Sequence, residues 1–85
     1  MNEEQGQRIL VVDDDVGLRG LIESYLKTNG YLVEGTGDGR GMRAAMERHS
    51  PDLIVLDLML PGEDGLTLLR ALRANGGPPV IIVSA

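Results

Sequence analysis

Four short aliphatic runs recur along the chain, and no other feature limits its fold as much. They are Ile9-Leu10-Val11-Val12, Tyr31-Leu32-Val33, Leu53-Ile54-Val55-Leu56 and Val80-Ile81-Ile82-Val83. An unbroken apolar run bounded by turn residues is the pattern of a strand buried on both faces, as in parallel sheets covered by helices. The shorter second run suits an edge. Between the runs the apolar spacing changes to that of a helix: Leu18, Leu21, Ile22, Tyr25 and Leu26 first, then Met42, Ala45, Met46 and His49, then Leu66, Leu69 and Leu72. Asp14 or Asp15 can cap the first helix and Asn29-Gly30 can stop it. The second ends before Pro51, and the third runs from a cap at Asp64 to Asn75-Gly76-Gly77. Gly35 to Gly41 carries glycine at alternate positions and reads as a loop. The order βαβαβαβ implies right-handed crossovers in an open α/β sheet wound on both faces.

Composition narrows the class. Eighty-five residues make one domain, near the lower limit for a chain that buries its own core. A hydrophobic content of 42% is too high for a disordered tail. The apolar runs stop far short of the roughly 20 residues a membrane-spanning helix needs. Met1-Asn2-Glu3-Glu4 is acidic where a secretory signal is basic, and residues 1–7 have no apolar pattern, which predicts a flexible tail. The absence of cysteine excludes disulfides and thiolate metal sites and suits a reducing cytoplasm. A net charge of −5 argues against direct contact between this segment and nucleic acid. The sequence stops at Ala85, directly after the fourth run, which has no charge from Val80 to Val83. Such an edge invites pairing with another chain, so residues 8–85 are expected to be part of a larger domain.

Two of the buried strands run into carboxylate: the first into Asp13-Asp14-Asp15, the third into Asp57. Ligands of open parallel sheets bind outside the carboxyl ends of the strands, where the strand order reverses. With the second strand outside the first, that reversal falls between strands one and three, and Asp13, Asp14 and Asp57 converge. Carboxylates about 4 Å apart repel by roughly 4 kcal/mol at an effective dielectric of 20. Nothing basic in the adjacent sequence offsets this, and a hard divalent cation such as Mg²⁺ would. The plainer reading of Asp15 is a helix cap, but capping does not account for Asp57, which Leu58-Met59-Leu60-Pro61 follows. Asp38, Asp52 and Asp64 read as turn or cap residues, and His49 as a residue of a helix end. Rival motifs fail on spacing. The chain has no Gly-Lys-Ser/Thr for a phosphate loop, and Gly35 to Gly41 puts Arg40 where a dinucleotide fingerprint needs glycine. A calcium loop begun at Asp13 meets Leu18 at its glycine position.

Three blocks together carry a family resemblance. Ile9-Leu10-Val11-Val12-Asp13-Asp14-Asp15, Leu56 to Gly65 (Leu-Asp-Leu-Met-Leu-Pro-Gly-Glu-Asp-Gly), and Val80-Ile81-Ile82-Val83-Ser84-Ala85 resemble the receiver domain of bacterial two-component response regulators, nearest the OmpR-type transcriptional regulators. The likeness spans residues 8–85. It implies a flavodoxin-like doubly wound parallel sheet of strand order 2-1-3-4, incomplete here, with the fifth strand and last two helices missing. Asp57 is then the phosphoacceptor, taking a phosphoryl group from a sensor histidine kinase. Asp13 and Asp14 hold Mg²⁺ with Asp57, and Met59 lends a backbone carbonyl. Ser84 matches the hydroxyl that contacts the phosphoryl group, and Ala85 the small residue beside it. The family's catalytic lysine lies on the missing fifth strand, and the DNA-binding output domain is missing too. The resemblance thus implies a Mg²⁺-dependent phosphoacceptor in transcription regulation, not an enzyme. One alternative is a phosphorylation-incompetent fragment that forms a homodimer or strand-swapped oligomer through its fourth strand. Another is a Mg²⁺-dependent phosphatase with Asp57 as nucleophile, which position 59 disfavours because methionine stands where a second aspartate is needed.

Overall fold

The computed structural model describes residues 6–83. Four strands alternate with three helices: β1 (Arg8–Val12), α1 (Val16–Thr28), β2 (Leu32–Thr36), α2 (Gly39–Arg48), β3 (Leu53–Asp57), α3 (Gly65–Ala74) and β4 (Val80–Val83). The strands form one parallel sheet in the order β2-β1-β3-β4. The chain therefore steps outward from β1 to β2, then back across β1 to β3. The register pairs Val12 with Leu56, so β1 and β3 end level with each other.

The continuous aliphatic runs have the cause inferred for them. Leu10, Val12, Ile54 and Leu56 face α2 and α3, where Met42, Ala45, Leu68 and Leu72 complete one core with Leu60. Ile9, Val11 and Val55 face the other way, against Ile22 and Leu26 of α1. Both faces of β1 and β3 are covered, and Val11, Val12, Ile54 and Leu56 are wholly enclosed. Each helix starts on an aspartate: Asp15 accepts from Leu18 N (3.0 Å), Asp38 from Gly41 N (2.7 Å) and Asp64 from Leu66 N (3.1 Å). Such caps satisfy helical N–H groups that lack a partner within the helix. Asp52 instead accepts from Arg8 N at 2.8 Å, tying the turn before β3 to the start of β1. Gly30, at φ 93°, follows the cap Asn29 in the left-handed conformation that ends α1.

The structure corrects four local readings. Of the Gly35–Gly41 stretch only Gly37 and Asp38 are loop; β2 continues to Thr36 through its pairing with Val12, and α2 begins at Gly39. Tertiary pairing outweighs the poor strand propensity of glycine, and at Gly35 the space beside the Cα is filled by the Glu23 carboxylate. His49 is exposed, and its backbone N–H donates to Ala45 O in closing α2. Leu66 is also exposed; the inward stripe of α3 is Gly65, Leu68 and Leu72, with Leu69 half-buried. Gly65 sets that phase because it lies directly on the Leu58 backbone. On α1 only Ile22 and Leu26 reach the sheet, while Leu18, Leu21 and Tyr25 stay exposed.

Candidate functional site

The level ends of β1 and β3 bring three carboxylates together. One oxygen each from Asp13, Asp14 and Asp57 lies within 4.8 Å of the others. Asp13 is the buried member, 3% exposed, while Asp57 is half-buried and Asp14 exposed. Asp13 is held at three points. Its N–H donates to Thr36 O (3.0 Å), its Oδ1 accepts from Asp15 N (2.9 Å), and its carbonyl accepts from Arg19 Nη1 (2.9 Å). Asp57 Oδ1 accepts from Met59 N at 2.9 Å, a local turn that bends the chain as it leaves β3. The Met59 side chain projects into solvent, 70% exposed, so what this position offers the site is its backbone.

Burial raises the Asp13 carboxyl above its ordinary value, and the Asp57 and Asp14 carboxylates add to the rise. The Asp15 N–H opposes it in part. Among the described residues, none of the ion pairs includes a carboxylate of this cluster. Three hard oxygen donors, one buried at an electrostatic cost and none paired to a cation, form a donor set that suits Mg²⁺ and water better than a soft metal. Asp38, Asp52 and Asp64 do not join the cluster; they are committed to backbone N–H groups elsewhere. Ser84 and Ala85 lie outside the described residues, and Val83 before them pairs with Asp57. The residue missed in sequence is Arg19, the basic group that reaches the cluster from α1. Its signal was the Arg19–Glu23 spacing, i to i+4, together with the glycines at 35 and 37 that make room for the pair.

A parallel sheet of order 2-1-3-4 with an acidic crevice at its switch point defines a class of phosphate- and metal-handling α/β domains. Comparison with known proteins narrows the class. The family model of the response regulator receiver domain matches residues 9–85. The DNA-binding response regulator MtrA of Mycolicibacterium paratuberculosis is 43% identical over 79 residues, covering 93% of this chain and 35% of that protein. The MtrA of Mycobacterium tuberculosis gives the same figures. The chain thus spans about a third of the length of these curated relatives. Among solved structures, the receiver domain of the TMAO respiratory regulator TorR superposes with a TM-score of 0.85 at 39% identity, over 89% of this chain and 63% of that one. The BeF3-activated receiver domain of Klebsiella pneumoniae RstA gives 0.84 at 36% identity, over 92% and 67%. This chain belongs to the response regulator receiver domain family. It is a signalling domain of two-component systems, as its three sequence blocks implied.

Proposed function

We propose that residues 8–85 act as the phosphoacceptor segment of a cytoplasmic, DNA-binding response regulator, with residues 1–7 as a leading tail. Asp57 takes a phosphoryl group from the phosphohistidine of a sensor histidine kinase, in a Mg²⁺-dependent step that controls transcription through an output domain. The observation that carries this reading is the placement of Asp57: at the end of a central strand, with one oxygen tied to Met59 N and within 4.8 Å of Asp13 and Asp14 oxygens. With Oδ1 occupied, Oδ2 is the freer oxygen to attack phosphorus; the P–N bond of phosphohistidine breaks as the acyl phosphate P–O bond forms, and the imidazole leaves. Asp13, Asp14, Asp57 and the Met59 carbonyl would hold Mg²⁺, which when bound neutralises the charge gathered on the phosphoryl oxygens. Asp13 is anchored by three hydrogen bonds, so it enters this arrangement already oriented. Ser84 would contact the phosphoryl group and Ala85 would leave it room. The segment is an acceptor, not an enzyme turning over a foreign substrate, and its acidic surface makes no direct contact with DNA. Among the described residues no helix is long and apolar enough to cross a membrane.

Intact-mass spectrometry after incubation with Mg²⁺ and a small acyl phosphate tests the reading. The parent chain should gain one phosphoryl group and Asp57→Asn none. Equal uptake by both, or none by the parent, would count against it.

A second reading follows from β4. Its outer edge is unpaired among the described strands, and Ile81 and Ile82 are 52% and 39% exposed. A second copy pairing along that edge gives a homodimer or strand-swapped oligomer. Light scattering of the purified chain should then report a dimer; a stable monomer would remove this reading.

A further inference from the structure

Arg19 neither belongs to the acidic cluster nor lies free on the surface. We propose that Arg19, braced by Glu23, is a positioning residue: it fixes the peptide between Asp13 and Asp14 and thereby sets how tightly the cluster holds Mg²⁺. The inference rests on the metal site proposed above and adds residues to it.

An exposed i,i+4 ion pair on a helix contributes a few tenths of a kcal/mol and rarely has a larger role. This one is differently placed. The Arg19 and Glu23 side chains are only 23% and 24% exposed, with Nε 3.4 Å from the carboxylate. The pair lies over β2, and two glycines receive it. A Cβ at Gly35 would occupy the position of the Glu23 carboxylate, and one at Gly37 would come within 3.1 Å of Arg19 Nη1. The same point beside Gly37 is 3.8 Å from Asp14 Cα and 4.0 Å from Asp13 O. Arg19 therefore sits between α1, the start of the loop after β2, and the backbone of the acidic pair.

The bond from Nη1 to Asp13 O (2.9 Å) acts on Asp14 through peptide planarity. Asp13 O and Asp14 N share one rigid plane. The other side of Asp13 is fixed by its N–H to Thr36 and its Oδ1 to Asp15 N. What remains free is rotation of the Asp13–Asp14 plane, and the guanidinium removes it. Asp14 is exposed and has no hydrogen bond of its own among the described residues, so this plane, which contains its Cα, sets the point from which its carboxylate projects. Donation goes to the carbonyl and caps no carboxylate oxygen. A direct ion pair would compete with the metal; this contact leaves the ligand atoms available.

The test is Mg²⁺ titration of the full chain by calorimetry, with amide NMR spectra of the metal-free forms. Arg19→Met should weaken Mg²⁺ binding about 10-fold, the lower end of what losing a partner of a metal ligand costs. It should also shift the Asp14 amide before any metal is added. Arg19→Lys, which keeps a donor, should recover part of the loss. Arg70→Met, an equal loss of charge on the exposed side of α3, should change affinity less than twofold. If Arg19→Met fails to fold, Gly37→Ala crowds the guanidinium without removing it and should weaken binding in the same direction. Affinity unchanged in Arg19→Met, or lowered as much by Arg70→Met, would overturn the proposal. A parent chain that bound no Mg²⁺ would overturn the metal site itself and the role given to Arg19 with it.

Discussion

Gly65→Ala is expected to destabilise the chain by about 2 kcal/mol, although alanine is the better helix former by about 1 kcal/mol. The added methyl would sit 2.6 Å from Leu58 O and 2.8 Å from its carbonyl carbon. These are backbone atoms, which cannot rotate away, and overpacking of this kind costs about 1–3 kcal/mol, occasionally more. The steric cost outweighs the propensity. Leu58 follows Asp57, so the relief of the clash moves the loop that orients this proposed phosphoacceptor, and phosphoryl uptake should slow as well. Gly20→Ala in the middle of α1 is the matched comparison: nothing lies within 4 Å of its Cβ position, and it should stabilise by about 0.5–1 kcal/mol. Urea unfolding of both variants reads the two signs. A neutral or stabilising Gly65→Ala would mean that α3 does not rest on the Leu58 backbone.

Asp13→Asn should stabilise the metal-free chain and weaken its response to Mg²⁺. The asparagine oxygen can still accept from Asp15 N, so the anchor survives while the buried charge is removed. Unit charges within 4.8 Å repel by about 3 kcal/mol at an effective dielectric of 20, and solvent around the exposed Asp14 reduces this to a net effect of about 1–2 kcal/mol. The pH dependence has a definite sign. The Asp13 carboxyl is raised by burial and then by Asp57 and Asp14, so the folded chain binds that proton more tightly than the unfolded chain. Its contribution is therefore most favourable below the ordinary carboxylate value of 3.8 and is lost as pH rises through the raised one. The gap in Tm between Asp13→Asn and the parent should widen across that window without metal. Saturating Mg²⁺ should close or reverse it, since a ligand at 100 times its dissociation constant adds about 2.7 kcal/mol to whichever form binds it. A gap constant with pH would show that Asp13 does not carry this buried charge.

Much of this was legible in the residues. The unbroken aliphatic composition of Ile9–Val12 and Leu53–Leu56 required strands covered on both faces, and the helical spacing between them required crossovers. Asp15, Asp38 and Asp64 were recognisable as turn and cap residues because capping is local: the side chain bonds an N–H two or three residues on. The expected convergence of Asp13, Asp14 and Asp57 followed from strand ends and the family's blocks. The errors lay where long-range contacts override local preference. Thr36 is strand because Val12 pairs with it, and Leu66 faces solvent because Gly65 is pressed onto Leu58.

The sequence by itself determined the alternation of strands and helices, the residues able to cap the helices and the identity of the acidic residues, because periodicity and capping act over a few positions. Only the tertiary structure decided which atoms face one another. It raised the Asp13 carboxyl by burying it beside two like charges, and it carried Arg19 from α1 to the backbone of the acidic pair. Both depend on a level register between strands 44 residues apart in their Val12–Leu56 pairing, and no local pattern encodes such a distance.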